Sequence, residues 1–389
     1  MNTNKSSDSV LSMQDKTYTE KEIWNQPVLW QEIFTQVQQE KQSITSFLNK
    51  ALEHNNLNIV LTGAGTSAFI GLSLSGIYCR KSGKHVNSVS TTDLVTHPND
   101  YLSTDSPVLL ISFARSGNSP ESVAAVRIVD QVCSKVFHFI ITCDEKGELA
   151  KYNTYSPKFV FVLPKNANDK SLAMTGSYSG MLLAGLLIAR INEIDSLAPQ
   201  VNVLIQYGQK LLGQSEIFRE IAEMSFERAV FLGSGPLLGT ATESHLKLQE
   251  LTDGKIICKR DSFLGFRHGP KAVINNKTMV FFLFSNQPYV LPYETDLVES
   301  LHDGQQPLYT AGIIESGSLN VKLDQLFILS DEEYKLDEEF LPVCFILPAQ
   351  MIGFYKSIQL GLNPDSPSLS GAINRVVKGV VIYPYENKD

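Results

Sequence analysis

Two glycine- and hydroxyl-rich runs are the first places where this 389-residue chain could bind an anion. The earlier run, Gly63-Ala-Gly65-Thr66-Ser67, follows the apolar residues 58–62 and precedes a helical pattern. Glycines permit a tight turn, and the free N–H groups at a helix start attract negative charge. The spacing G-x-G-x-x-A also matches a dinucleotide-binding fingerprint. A tight turn that binds no ligand is an equally good interpretation of this run.

The second run, residues 112–122 with the sequence SFARSGNSPES, is more informative. Its members of interest are Arg115, Ser116, Gly117, Asn118, Ser119 and Ser122. Hydroxyls and free N–H groups that converge at a helix start suit a phosphate monoester. No P-loop lysine accompanies the run, which argues against a nucleoside triphosphate. A serine-rich helix cap is the alternative. The corresponding loop 285–288 lacks the pattern, so we expect one phosphate site per chain.

A third group of polar residues lies on one predicted helix. Steps of four and three place Glu243, Lys247 and Glu250 on one face. An ion-paired, solvated helix surface is the simpler interpretation, but a desolvated Glu beside a Lys could also act as a proton-transferring base. His268 precedes Gly-Pro in a predicted turn. None of the seven histidines has the spacing of metal ligands, so we predict no metal.

The elements that must position these residues alternate between short apolar strands and helices. The predicted strands are 58–62, 108–113, 136–142, 159–163, 228–232, 278–284, 308–314 and 325–329. This alternation predicts an α/β fold with mostly parallel sheets. Gly63 and Gly65 reappear in the same context as Gly233 and Gly235, and four strands repeat at a similar offset, which predicts two similar halves.

The regions outside the repeat are assigned from local signals. Residues 1–18 are expected to form a loose arm, and Thr19-Glu-Lys-Glu22 resembles a capping box that opens helices over 19–54. The predicted domains are 1–48, 49–205 and 215–389. The last two have the repeated architecture, and their boundary lies near 200–225.

Composition excludes several classes of function. Lys and Arg number 33 against 41 Asp and Glu, and the chain has no basic run, so we expect no nucleic-acid partner. The longest apolar stretch in the sequence is Met181–Ala189, too short for a bilayer, so no membrane is expected. Five scattered cysteines and no signal peptide favour a reducing, cytoplasmic location.

Together these motifs resemble the sugar isomerase (SIS) family over about residues 50–389. The resemblance implies two tandem flavodoxin-like SIS domains, each a five-stranded parallel sheet with helices on both faces, preceded by N-terminal helices. It also implies that Gly65, Thr66 and Ser67 join the 115–122 run in binding the phosphate of a sugar. No cofactor is implied, and a homodimer or higher homo-oligomer with shared active sites is expected.

The second half resembles the isomerase half of the glucosamine-6-phosphate synthases. The resemblance implies that Glu250 is the base, that Glu243 and Lys247 support it, and that His268 of a neighbouring subunit opens the sugar ring. The segment Asn374–Val381 resembles the lysine-containing C-terminal segment of those enzymes, which implies that Lys378 reaches the substrate. The synthases also need a glutaminase domain with an N-terminal cysteine. The first cysteine here is Cys79, so glutamine-dependent synthesis is excluded.

The long motif runs are most similar to a branch of the family that acts in amino-sugar catabolism. The activity implied is deaminating isomerisation of galactosamine 6-phosphate to tagatose 6-phosphate and ammonia. Three alternatives remain open: ketose/aldose isomerisation of neutral hexose 6-phosphates, deamination of glucosamine 6-phosphate, and a non-catalytic phosphosugar sensor. A nicotinamide-dependent oxidoreductase is a weaker alternative, because the 112–122 run has no role in it.

Overall fold

The computed structural model describes residues 16–317, 319–330, 335–377 and 379–386. Its strands are β1 Asn58–Gly63, β2 His85–Ser88, β3 Val108–Ala114, β4 Val136–Thr142, β5 Lys158–Val162, β6 Arg228–Gly233, β7 Ile257–Asp261, β8 Thr278–Leu283, β9 Tyr309–Ser316 and β10 Gln325–Ser330. They form two five-stranded sheets, ordered β2-β1-β3-β4-β5 and β10-β9-β8-β6-β7, in which every pairing is parallel. Each sheet has the flavodoxin-like order 2-1-3-4-5. The predicted fold class is confirmed.

The sequence repeat corresponds to this structural repeat. β1 begins at Asn58 and its counterpart β6 at Arg228, while β3 begins at Val108 and its counterpart β8 at Thr278. The offset is the same for both pairs and equals that of the two glycine loops. The central strands are fully buried, which is why they appear in the sequence as continuous apolar runs.

Two strands were missed by the sequence analysis, namely β2 and β7. Each is a short edge strand next to the first strand of its sheet. Their side chains are half-buried or exposed, and their sequences, HVNS and ICKRD, contain polar residues. An edge strand has one unpaired side facing solvent or a loop, so it needs no apolar run.

The helices are α1 Tyr18–Trp24, α2 Gln26–Gln39, α3 Lys41–Leu52, α4 Thr66–Ser82, α5 Thr91–Thr96, α6 Pro120–Val132, α7 Gly176–Ala189, α8 Ala198–Gly213, α9 Ser215–Glu223, α10 Leu237–Leu251, α11 Phe263–Phe266, α12 Leu291–Ser300, α13 Leu341–Phe345 and α14 Leu347–Gln359. The N-terminal helix α2 packs on α7 and α8 through an apolar face that includes Trp30 and Ile33. Helices α8 and α9 span the region near 200–225 in which the domain boundary was predicted.

The start of the first helix differs from the predicted capping box. Thr17, rather than Thr19, is the cap, and its hydroxyl accepts a hydrogen bond from Glu20 N at 3.2 Å. Thr19 instead lies inside the helix, and its backbone N–H and its hydroxyl both donate to Asp365 Oδ1 at 2.7 Å. The cap lies two residues before the predicted position, because the Thr19 hydroxyl donates to Asp365 instead of capping the helix. Residues 1–15 of the predicted arm lie outside the described residues.

The two sheets are brought together by α4 and α10, the helices that follow the two glycine loops. They cross closely at Gly239, where a Cβ atom would lie 2.6 Å from the Phe69 carbonyl oxygen. A glycine is therefore required for this helix packing. Because each helix begins at the carboxyl end of its first strand, this contact places the two glycine loops near one another.

The longest apolar helical stretch of the described residues is Glu338–Gln359, not Met181–Ala189 as the sequence suggested. By length and composition it could cross a membrane, but 89% of its most apolar window is buried inside the protein. The interruptions at Pro342 and Pro348, each near the start of a separate helix, obscured the stretch in the sequence. Such burial is typical of core helices.

Candidate active site

One cleft of about 300 Å³ joins the two halves of the molecule at the carboxyl ends of β1 and β3. From the first half it is lined by Ala64, Gly65, Thr66, Ser67, Phe113, Ala114, Arg115, Ser116, Gly117, Ser119, Ser122, Leu172 and Met174. From the second half it is lined by Lys247, Glu250 and the irregular segment 372–377. The cleft therefore contains most of the predicted binding residues and the predicted base.

The first half contributes the starts of two helices to this cleft. Gly65 has a φ of 54° and is the cap residue of α4, and Gly117 has a φ of 65° in the loop before α6. Both conformations favour glycine. Ser119 caps α6, and its hydroxyl donates to Ser122 Oγ at 2.6 Å. Two helix N-termini and several hydroxyls thus converge, an arrangement that suits a phosphate group.

Two residues of the 115–122 run have other partners in this structure. Asn118 does not line the cleft; its Oδ1 accepts from Glu148 N at 2.9 Å, in the loop between β4 and β5. The Arg115 guanidinium lines the cleft but donates to the carbonyl oxygens of Ser171, Leu172 and Arg375 at 3.3, 3.0 and 2.6 Å. A phosphate-binding role for both therefore remains a prediction.

On α10, the predicted face of Glu243, Lys247 and Glu250 is a continuous ion-paired chain. Lys247 Nζ lies 3.2 Å from Glu243 Oε1 and 2.7 Å from Glu250 Oε2. Glu243 and Lys247 are fully buried, so the face is not a solvated surface, whereas Glu250 reaches the cleft. Thr66 Oγ1, at the start of α4, donates to Glu243 Oε1 at 3.3 Å. A hydrogen-bonded path thus runs from the phosphate end of the cleft to the predicted base.

Burial determines the protonation of Glu243 and Lys247. It raises the pKa of Glu243 to about 8, and the charge of Glu250 adds to the rise while Lys247 opposes it. The pKa of Lys247 is raised by the two carboxylates despite its burial. Two carboxylates and one ammonium would carry a net negative charge, and a proton on the buried Glu243 removes it.

The remaining two predicted catalytic residues do not line the cleft of this chain. His268 is exposed, between α11 and the turn that begins at Pro270. Lys378 lies outside the described residues, directly after Val377, which lines the cleft. The geometry of one chain thus leaves their roles as predictions.

The residues that sequence reasoning missed are in the loop 168–174 and in the segment 372–377. Leu172 and Met174 border the cleft although no motif marks them, and Arg375 lies in the segment 374–381, which was singled out only for Lys378. They are placed by hydrogen bonds to backbone carbonyls, such as those from Arg375 to Asp169 O. Every residue has a backbone carbonyl, so contacts to such acceptors cannot be predicted from the residue types in the sequence.

The corresponding loop in the second half is filled by the protein itself. Ser285 N donates to Glu294 Oε2 at 2.8 Å, and the Ser285 hydroxyl donates to Glu338. Asn286 Nδ2 donates to Glu315 Oε2 at 2.7 Å. Carboxylates thus occupy the position at which the first half offers donors to an anion. Among the described residues, no group of three His, Cys, Asp or Glu side chains could hold a metal ion.

The fold and the cleft define a protein with tandem SIS domains. The SIS domain model matches residues 51–190. The D-galactosamine-6-phosphate deaminase AgaS of Escherichia coli O157:H7 is 39% identical over 95% of this chain and 96% of its own length. The protein of the same name from Shewanella sp. strain ANA-3 is 38% identical over 95% and 92%. The chain belongs to the SIS family, in the group of two-domain proteins that includes AgaS.

A solved structure agrees with this placement. The crystal structure of tagatose-6-phosphate ketose/aldose isomerase from Escherichia coli superimposes with a TM-score of 0.86 at 35% identity, over 95% of this chain and 98% of that chain. The relatives thus carry both a deaminase name and an isomerase name.

Proposed function

We propose that this protein converts galactosamine 6-phosphate and water to tagatose 6-phosphate and ammonia. One observation supports the proposal above the others. A single cleft unites the Lys247–Glu250 pair of the second domain with a phosphate cradle of the first domain, which consists of residues 65–67 and 115–122 at the starts of α4 and α6. The names of the relatives favour the amino sugar and its galacto configuration. We also place the reaction in the cytoplasm, because the five cysteines are unpaired, as is usual in a reducing compartment.

In the proposed mechanism the phosphate lies against the α4 and α6 N-termini and the hydroxyls of Ser116, Ser119 and Ser122. His268 of a neighbouring subunit transfers a proton between the ring oxygen and the C1 hydroxyl, which opens the ring. Glu250 then takes the C2 proton of the open aldose and returns it to C1. The C1 oxygen gains a proton and the C2 amine loses one, so the C1 aldehyde becomes an alcohol and C2 becomes an imine. Water adds to C2, the C–N bond breaks, and ammonia leaves. The protein's contribution to each step is positioning and proton transfer.

The other residues of the cleft support this base. Lys247 holds the Glu250 carboxylate by a 2.7 Å ion pair, and Glu243 Oε1 contacts Lys247 Nζ at 3.2 Å from the buried side. Lys378, next to Val377 in the sequence, reaches the substrate from the C-terminal segment in this proposal.

The test is ammonia release from galactosamine 6-phosphate by the full-length protein, with glucosamine 6-phosphate in parallel. We expect turnover of the galacto sugar, with tagatose 6-phosphate as product. Glu250→Gln should lower kcat by about 10²–10⁴-fold, the usual contribution of a general base. Glu227→Gln is the matched control, because Glu227 is exposed and paired only with Lys277.

A specific observation favours a second candidate, ketose/aldose isomerisation, since the E. coli structure that superimposes on this chain carries that name. Interconversion of galactose 6-phosphate and tagatose 6-phosphate without ammonia release from either amino sugar would establish it instead. A sensor would bind the sugar phosphates, turn over none of them, and bind equally well after Glu250→Gln.

A further inference from the structure

The segment 372–377, here called the C-terminal strap, crosses the cleft with little packing to hold it. It contains no helix or strand, and its residues are exposed except for the half-buried Val376. Its backbone N–H groups donate locally, as from Ala372 N to Ser370 Oγ at 3.3 Å. A segment with so few buried contacts has low local stability. Its position over the cleft therefore depends on the polar contacts that reach it from elsewhere.

Two arginines supply those contacts in a reciprocal arrangement. Arg115, which is 7% exposed, donates to the strap at Arg375 O and to the loop before α7 at Leu172 O. In return, Arg375 donates from the strap to the same loop, at Asp169 O (2.9 Å) and Asn168 Oδ1 (2.8 Å). The cradle, the loop and the strap are thus joined at one place. Lysine would not replace Arg115, because its ammonium lacks the planar fork that reaches three carbonyls.

The charge of the two arginines is not neutralised by these bonds, because every acceptor is a carbonyl or amide oxygen. The nearby Asp169 carboxylate is fully buried and accepts from Thr175 N, Ser177 N and the Ser177 hydroxyl at the start of α7. Burial lowers the pKa of Arg115, Asp169 opposes this effect, and the like charge of Arg375 adds to it. A phosphate dianion in the adjacent cradle would relieve this repulsion between the two cations.

We propose that Arg115 and Arg375 are positioning residues that hold the C-terminal strap across the phosphate end of the cleft, and that a bound phosphate group strengthens this closure. The inference rests on the proposed function only in that the cleft receives a phosphorylated sugar. By linkage, the strap must then raise the affinity for phosphate by the same factor by which phosphate favours closure.

The experiment measures cleavage of the full-length protein by proteinase K, with cuts within residues 370–377 located by mass spectrometry. Inorganic phosphate is the probe, and chloride at equal ionic strength is its control. In the wild type we expect phosphate to slow these cuts several-fold. In Arg375→Gln and Arg115→Gln we expect cuts about 10-fold faster than in the wild type and little protection by phosphate. Lys165→Gln is the matched variant, because it removes one exposed positive charge from the same domain outside the cleft.

Steady-state kinetics on galactosamine 6-phosphate separate positioning from a general loss of structure. Arg375→Gln should raise KM about 10-fold and change kcat less than about threefold. Arg115→Lys should not restore the wild-type KM. Equal strap cleavage in Arg375→Gln, Lys165→Gln and the wild type would overturn the proposal, even if Arg115→Gln fails to fold. Phosphate protection of the wild-type strap without turnover of any sugar would refute the proposed function, but it would still support the closure of the C-terminal strap by Arg115 and Arg375.

Discussion

At the scale of single residues, Glu243 is the group whose chemistry depends most on its surroundings. Its Oε2 has no hydrogen-bond partner, whereas its Oε1 lies 3.2 Å from Lys247 Nζ and accepts a hydrogen bond from the Thr66 hydroxyl. In the sequence it is only one acid of an E-x-x-x-K-x-x-E pattern. Burial between α4 and α10 turns it into a carboxyl with a pKa of about 8, which carries a proton at neutral pH.

This protonation predicts how Glu243→Gln changes stability with pH. Because the folded pKa is raised, the stability contributed by the protonated carboxyl is fully present below the unfolded value of about 4.5 and is lost as pH rises through about 8. Glutamine mimics the protonated form. The free energy of unfolding of Glu243→Gln, relative to the wild type, should therefore increase between pH 6 and pH 9 by about 2–3 kcal/mol.

Urea denaturation at both pH values measures this difference. Glu227→Gln, at an exposed ion pair, should show no comparable change. A relative stability of Glu243→Gln that stays constant or falls from pH 6 to pH 9 would mean that Glu243 is ionised throughout.

At the scale of elements, the crossing of α4 and α10 decides whether a site forms at all. Thr66, in the cradle at the start of α4, and Glu250, near the end of α10, belong to different domains and lie far apart in the chain. Gly239 permits the close approach that joins them, because a side chain there would meet the backbone of Phe69 and Ser73.

We therefore expect Gly239→Ala to damage stability and catalysis together. The added methyl group would meet the Ser73 hydroxyl and also backbone atoms of Phe69 and Ser73, which cannot simply rotate away. We therefore expect a destabilisation of about 1–3 kcal/mol and a lower kcat/KM. Gly213→Ala is the control: Gly213 is also helical, nothing lies within 4 Å of its added Cβ, and alanine should leave stability unchanged or raise it by about 0.5–1 kcal/mol. Equal melting temperatures for the two variants would show that the helices can separate without cost.

At the scale of the whole molecule, the two domains have one topology and different chemistry. The loop after β3 offers donors to an anion, whereas the loop after β8 already holds the carboxylates of Glu294 and Glu338. Burial, with the charge of Glu338, raises the pKa of Glu294 to about 8.

One sugar phosphate should therefore bind per chain. Isothermal titration of Glu250→Gln with galactosamine 6-phosphate measures the stoichiometry without turnover, and about one ligand per chain is expected. Glu294→Gln in the same background should leave that number unchanged. A stoichiometry of two would show that the second loop opens to ligands.

The proposed sharing of His268 between subunits makes a separate prediction. Inactive His268→Ala and inactive Glu250→Gln protein, mixed and allowed to exchange subunits, should regain activity. For a dimer at equal concentrations, roughly one quarter of the sites would combine two intact halves. Activity that fails to return, although labelled subunits demonstrably exchange, would mean that no active site combines His268 of one chain with Glu250 of another.

The order of residue types was enough to predict the parallel α/β halves, the constant offset between them, the hydroxyl loop and the shared face of Glu243, Lys247 and Glu250. These features follow from local periodicity and from buried strands that appear as apolar runs. The edge strands β2 and β7 lack that signal, because one side of each faces solvent or a loop.

Which of these pieces meet depends on the tertiary structure. The sequence does not reveal that Arg115 contacts the carbonyl of Arg375, that Thr66 donates to Glu243, or that Asn118 is turned away from the cleft. Backbone carbonyls are the same in every residue, and contacts between residues so distant in the chain depend on how helices cross. The chemistry of the site was therefore visible in residue types, while its geometry and protonation depend on helix packing and burial.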